Sequence, residues 1–366
     1  MAGEGRPLTI LQLTHQGGPA GSTQSIFNLS QQLARRGHRV LVGCRDDVLL
    51  ARLARAAGGG LPVVPLDFTR IGALARALAG VIAREHVDVV NSHATRDRRA
   101  LTWLRWRGAL PQAFVVTRRT MPRTSPLELL AVGLTADRTI AVSAAVARAL
   151  RRRLHPGGRV RLVPNGIALE RMDAPVPAAD LAAARAALGE TDGRPVIVVV
   201  ARRKDQDVLL AALPAVARPL VLALVGIEPD ARLSALAGAV PPRHRVAFVP
   251  LTDRPLAFYH LATVAALPSR IEGLSQSLLE AMALGLPVVA SDAGGNRDLV
   301  TSGETGLLVP PRSAAAWARA LDRLLADGDG ARRLARAGRE LVRRDFTLDR
   351  TAERTEAVYR EAVAAR

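Results

Sequence analysis

The sequence predicts an α/β protein made of two doubly wound halves with parallel sheets. Three observations carry that prediction. Short apolar runs of strand length alternate with helical patterns along the whole chain, the order expected of parallel strands joined by crossover helices. At 366 residues the chain is too long for one ordinary core. The alternation also pauses once, near residue 170, and then starts again.

In the first half the strand candidates are Leu8–Leu13, Val40–Gly43, Val63–Leu66, Val87–Asn91, Phe114–Thr117, Thr139–Val142 and Val160–Val163. Helical patterns such as Thr23–Arg36, Gly72–Glu85 and Ala144–Arg153 lie between them. Pro164-Asn165-Gly166 is a turn signal, and the Pro- and Ala-rich stretch 174–180 reads as a linker. A second series follows at Val196–Val200, Leu220–Val225, Val246–Val249, Val264–Leu267, Val288–Ala290 and Gly306–Val309. Helices at Ser313–Ala326, Gly330–Arg343 and Leu348–Ala365 close the chain. Ligands of open parallel sheets sit outside the carboxyl ends of the strands, so both halves are expected to offer loops to a cleft.

Composition narrows the class. No run of about 18 uninterrupted apolar residues occurs, so no membrane-spanning helix is expected. The opening segment turns polar too soon for a signal peptide. One cysteine, Cys44, excludes an intrachain disulfide framework and suits a reducing cytosol. Residues 1–170 carry 25 Arg against 10 acidic residues, while the remainder is nearly balanced, so most of the +18 charge lies in the first half. Such asymmetry points to an anionic surface or ligand. The chain also holds 50 Arg and a single lysine, Lys204, which marks a position where a compact point charge serves better than a planar fork.

The most informative stretch is Ser269–Gly295. It reads as a loop with Glu272, then a helix capped by Ser275 or Ser277 and carrying Glu280, a stop at Gly285 and Pro287, and a strand from Val288. Free N–H groups at such a helix start favour an anion. Arg202, Arg203 and Lys204 follow the strand Val196–Val200 at its carboxyl end and form a candidate phosphate clamp. On the first half, Gly17 and Gly18 occupy a strand-to-helix turn that allows close backbone approach. His93 follows a strand end, and His15 is a lesser candidate beside Gly17.

Two glutamates with seven residues between them, followed by Ala-Met-Ala-x-Gly-x-Pro-Val-Val-Ala, resemble the donor-site signature of the retaining glycosyltransferases of family 4. The segments RRGHRV, VSAAVARAL, VPNGIALER, VGIEPDARL, SGETGLLVPP and DFTLDRTAERTEAVYR fall in that family's order, so the resemblance spans nearly the whole chain. It implies the GT-B fold: two Rossmann-type domains with parallel sheets facing a central cleft, and a C-terminal helix that returns to the first domain. The expected division is an acceptor-side domain at 1–170, a nucleotide-sugar donor domain at 171–345, and the returning helix at 346–366.

The implied activity is that of a metal-independent hexosyltransferase. It would move sugar from a nucleoside diphosphate sugar to a lipid-linked, lipopolysaccharide or polysaccharide acceptor. No cofactor is expected, and no His/Cys cluster at ligand spacing is present. By resemblance Lys204 and one of Arg202 and Arg203 contact the diphosphate. Glu280 accepts from ribose hydroxyls, Glu272 meets the sugar, and the N–H groups of Gly273, Leu274, Ser275 and Gln276 lie close by. His93 contacts the donor sugar, and Gly17 and Gly18 face donor phosphate and acceptor. Two departures stand out: the clamp loop is short with Asp205 where glycine is common, and Gly273-Leu274-Ser275-Gln276 replaces the usual Gly-Phe-Gly.

The segment Thr95–Arg107 interleaves Arg96, Arg98, Arg99, Arg105 and Arg107 with Trp103 and Trp106. With Arg118, Arg119 and Arg123 it forms a candidate patch for acceptor or for an anionic inner membrane face. No nucleic-acid motif accompanies the charge. The competing functions are a nucleotide-sugar epimerase of the same architecture and an inactive basic membrane-binding protein.

Overall fold

The computed structural model describes residues 5–122, 125–153 and 155–366. The chain divides into a unit of Met1–Gly166 with Leu348–Arg366 and a unit of Ile167–Thr347.

Among the described residues the first unit holds seven parallel strands: β1 (Thr9–Leu13), β2 (Arg39–Cys44), β3 (Val63–Pro65), β4 (Val89–Ser92), β5 (Ala113–Arg118), β6 (Arg138–Ala141) and β7 (Val160–Leu162). Their order is β3-β2-β1-β4-β5-β6-β7, with Leu13 beside Ser92 in the β1–β4 register. Side chains alternate across a strand, so this sheet feeds two cores. Ile10, Val89 and Val115 pack on one face with Leu29 and Leu33 of the helix Gly21–Arg35 and with Tyr359 and Ala362. Leu11, Leu13, Phe114 and Val116 pack on the other with Leu74, Leu78, Leu101 and Leu104.

The second unit holds β8 (Val196–Val200), β9 (Val221–Val225), β10 (Arg245–Val249), β11 (Val264–Leu267), β12 (Val288–Ser291) and β13 (Leu307–Val309). They are again parallel, in the order β10-β9-β8-β11-β12-β13. Trp317, fully buried, centres a core with Leu209, Leu222 and Leu321.

Strand order reverses between β1 and β4 in the first sheet and between β8 and β11 in the second. The carboxyl ends of those pairs are the switch points where α/β sheets leave room for ligands. His15 and His93 flank the first switch point, and Arg202–Lys204 and Ser269–Glu272 flank the second.

The last helix, Leu348–Ala364, belongs to the first unit. Its Tyr359 hydroxyl accepts from Gln12 Nε2 at 3.0 Å and from Asn91 Nδ2 at 2.7 Å, all buried. The stretch 174–180 does not separate the units. It lies inside the second, and its last three residues open the helix Ala178–Leu188. Proline sits readily where a helix begins, so the Pro177 that suggested a linker precedes a helix instead.

Candidate functional site

In the second unit the loop after β8 and the loop after β11 are tied together. Arg270 donates from its backbone N to Asp205 Oδ2 at 3.0 Å and from Nε to Asp205 Oδ1 at 2.6 Å. The buried Gln206 folds the clamp loop: its Oε1 accepts from Lys204 N at 2.7 Å and its Nε2 donates to Arg202 O at 2.9 Å. This pinning places Lys204 Nζ 2.5 Å from Glu272 Oε1. Sequence reasoning noted Asp205 only as a departure and placed Gln206 in the stretch after Lys204 without a role of its own. Their polar side chains beside a candidate clamp were the available signal.

The three clamp cations separate. Arg203 turns away, its Nε 2.9 Å from Asp230 Oδ2, where Asp230 also caps the helix Ala231–Gly238. Arg202 is exposed, and its guanidinium has no hydrogen-bond or ion-pair partner among the described residues.

The helix Gln276–Ala283 starts as expected, with Ser275 Oγ accepting from Leu278 N at 3.3 Å. The backbone N–H groups of Gly273, Leu274, Ser275 and Gln276 donate to no group among the described residues. One turn in, Glu280 is largely buried and 3.3 Å from Arg171 Nη1. Burial pushes its carboxyl above the ordinary range, while Arg171 and the Tyr259 hydroxyl pull it back. Arg171, on the helix Leu169–Asp173, had been assigned no role from sequence.

An Arg171→Ala variant therefore leaves Glu280 without its cation. The raised pKa means the burial cost is absent below the unfolded value, grows as pH rises above it, and is complete once the folded value is passed. Denaturant unfolding should show a larger loss relative to wild type at pH 8 than at pH 5. Equal losses at both would show that the pair is not what holds Glu280 charged.

Gly294 supports the same loop. Its φ is +52°, and a Cβ there would stand 2.3 Å from Glu272 O. Gly295 N donates to that same carbonyl at 3.1 Å.

In the first unit Asp97, fully buried, gathers the switch-point loop. It accepts from Ser92 Oγ at 2.6 Å, His93 N at 3.0 Å and Ala94 N at 2.8 Å, and meets His15 Nδ1 at 3.1 Å. Burial opposes its charge, yet these bonds hold its carboxyl below the usual range. His93 Nε2 lies 2.8 Å from Gln12 Oε1. Since that oxygen can only accept, Nε2 carries the hydrogen. Burial, with Arg119 nearby, drives the His93 pKa well down, so the ring is neutral. Gly17 is explained by packing, because a Cβ would meet Val48 Cγ2 at 2.5 Å. Gly18 instead faces open space, with nothing within 4 Å of a Cβ.

An open cavity of roughly 770 Å³ adjoins this loop, lined by His15, Arg45, Asp47, Asp67, Phe68 and Arg96 among others.

The helix Thr95–Trp106 corrects the expected basic patch. Its outward side holds Arg96, Arg99 and Trp106, the last 67% exposed. Arg98 is only 4% exposed, so it is no part of the exposed basic patch. Its position beside Leu101 and Thr102 turns it inward. Arg105 is also drawn in, donating to Gln112 O and Asp137. Trp103 is half-buried beneath Arg107, whose Cζ lies 4.4 Å from the ring centre. Arg118 is buried as well, and Arg123 lies outside the described residues. Among the described residues no helix is long and apolar enough to cross a membrane.

Comparison with known proteins bears on this arrangement. Residues 19–171 match the profile described as "Glycosyltransferase Family 4", and residues 182–341 match "Glycosyl transferases group 1". A D-inositol 3-phosphate glycosyltransferase of Geodermatophilus obscurus is 32% identical over 311 residues, covering 76% of this chain and 67% of that protein. The chain belongs to glycosyltransferase family 4.

Another relative of this family 4 chain is the D-inositol 3-phosphate glycosyltransferase of Xylanimonas cellulosilytica. It is 38% identical over 222 residues, covering 57% of this chain and 52% of that protein. The family 4 chain spans about half the length of several curated relatives it matches. A sucrose-phosphate synthase from Thermosynechococcus elongatus superposes with a TM-score of 0.81 at 25% identity, covering 99% of this chain and 100% of the other. The family 4 chain thus has the GT-B fold its sequence led one to expect.

Proposed function

We propose that this chain is a retaining, metal-independent glycosyltransferase that takes its sugar from a nucleoside diphosphate sugar. The second unit holds the donor, and the first receives the acceptor. The observation that carries the reading is Lys204 Nζ beside Glu272 Oε1 at the second switch point, next to a helix start with unbonded N–H groups. A cation and preorganised donors at that place suit a departing diphosphate, whose growing charge is the main thing such a site must stabilise.

Within the site, Lys204 and Arg202 contact the diphosphate. Arg202 is favoured over Arg203 because the Arg203 guanidinium already pairs with Asp230. Glu280, acceptor-only when ionised, takes the ribose hydroxyls, and Glu272 with the Gly273–Gln276 backbone takes the sugar. Gly18 offers the open approach on the first unit, and neutral His93 meets the donor sugar without serving as a base. The acceptor is a hydroxyl-bearing precursor of a lipid-linked glycan or polysaccharide. Relatives whose names specify D-inositol 3-phosphate extend that set to phosphorylated polyols. Arg96, Arg99 and Trp106 hold the protein at an anionic inner membrane face, a reading that liposome flotation tests directly.

The experiment is incubation with UDP-, GDP- and ADP-sugars in EDTA, with and without acceptor panels. Transfer with the donor's anomeric configuration kept supports the reading. An inverted product overturns the retaining mechanism, and an isomerised donor sugar without acceptor would instead indicate an epimerase.

A further inference from the structure

Two arginines of the first unit are buried without adequate partners. Arg118 ends β5 and Arg98 lies in the first turns of the helix after β4. β4 and β5 are neighbours, with Ser92 beside Val116, so both residues stand at the same carboxyl edge of the sheet. Arg98 is 4% exposed and Arg118 6%. Arg118 Nε and Nη2 and Arg98 Nε have no hydrogen-bond partner among the described residues. Arg98 Nη2 donates to Thr95 Oγ1 at 3.0 Å.

The nearby carboxylates are committed elsewhere. Asp97 is taken by His15, Ser92 and the loop N–H groups, and Glu128 Oε2 pairs with Arg99 at 2.9 Å. The other Glu128 oxygen is buried and unpartnered. Burial, then repulsion from Arg98, pushes the Arg118 guanidinium down to about 9. Two neighbouring buried cations without bonded counterions are costly in a folded chain. An anion with several acceptor oxygens would offset that cost, and a tetrahedral phosphoryl group fits two guanidinium forks.

We propose that Arg98 and Arg118 form a phosphoryl-binding subsite of the first unit, beside His93 and Asp97, that receives a phosphate carried by the acceptor. The assignment to an acceptor rests on the function proposed above, while phosphate binding itself does not.

Thermal unfolding of the full chain with inorganic phosphate, at constant ionic strength, tests it. Phosphate should raise the Tm of wild type and of Lys204→Ala, in which the donor clamp is removed. In Arg118→Met and Arg98→Met the apparent Kd for phosphate should weaken about tenfold to a hundredfold. In phosphate-free buffer Arg118→Met should melt at or above wild type, because an uncompensated buried charge has gone. A phosphate response kept in both methionine variants would overturn the subsite. So would Arg118→Met melting well below wild type without phosphate, since Arg118 would then be a structural cation.

Competition separates the sources of the phosphoryl group. Displacement by glycerol 3-phosphate indicates a soluble acceptor, and displacement by phosphatidylglycerol vesicles a lipid one. Displacement by neither would overturn the assignment to an acceptor. Sugar transfer failing while phosphate still binds would sink the transferase reading and leave the subsite standing.

Discussion

Gly294→Ala should lower stability by about 2–5 kcal/mol and reduce kcat/KM for the donor about a hundredfold. Two separate effects add. The residue has φ +52°, a left-handed conformation that costs a side-chain-bearing residue about 1–2 kcal/mol. The new Cβ would also stand 2.3 Å from the Glu272 carbonyl oxygen, a backbone atom that cannot swing aside. Relief requires the loop bearing Glu272 to move, and displacement of about 1 Å at a reacting site costs roughly two orders of magnitude in rate. Gly303→Ala provides the comparison. Its φ is +88° but nothing lies within 4 Å of a Cβ, so stability should fall by only about 1–2 kcal/mol and donor use should persist. Denaturant melts and donor kinetics on both variants measure the difference. Equal kinetic losses would show that Gly294 does not act through Glu272.

Lys204→Ala should reduce kcat/KM for the donor about tenfold to a hundredfold while barely changing stability. The ion pair with Glu272 is one-third exposed on the lysine side, and exposed pairs contribute about 0–1 kcal/mol to folding. A charge-assisted bond to phosphate contributes about 1.5–3 kcal/mol, which is the source of the kinetic estimate. Lys204→Arg should restore only part of the activity. In a chain with 50 Arg and one Lys, the planar fork is a different donor from a compact ammonium. An unchanged kcat/KM in Lys204→Ala, with or without a stability loss, would reduce the pair to a surface ion pair.

Much of this was legible from the residues because it is local. Each strand of the two sheets was marked by an apolar run of the right length. Capping chemistry bounded the helix carrying Glu280 between Ser275 or Ser277 and Gly285, and the structure places the cap at Ser275. What escaped depends on partners distant in sequence. Arg171 and Glu280 are 109 residues apart, and no local pattern joins them. Arg202 and Arg203 look alike in sequence, and the feature that distinguishes them, the pairing of Arg203 with Asp230, spans 27 residues. Arg98 was misjudged for another reason. Its neighbours at helical spacing, Leu101 and Thr102, are inward-facing, but charge type outweighed position and it was assigned to the surface with Arg96 and Arg99.

Titration calorimetry of UDP, GDP and ADP into the full chain in EDTA, for wild type and Lys204→Ala, tests the central claim most directly. The account predicts that at least one nucleoside diphosphate binds wild type without metal and binds Lys204→Ala about tenfold to a hundredfold more weakly. Binding of none of the three to wild type, or equal binding to both proteins, would contradict it.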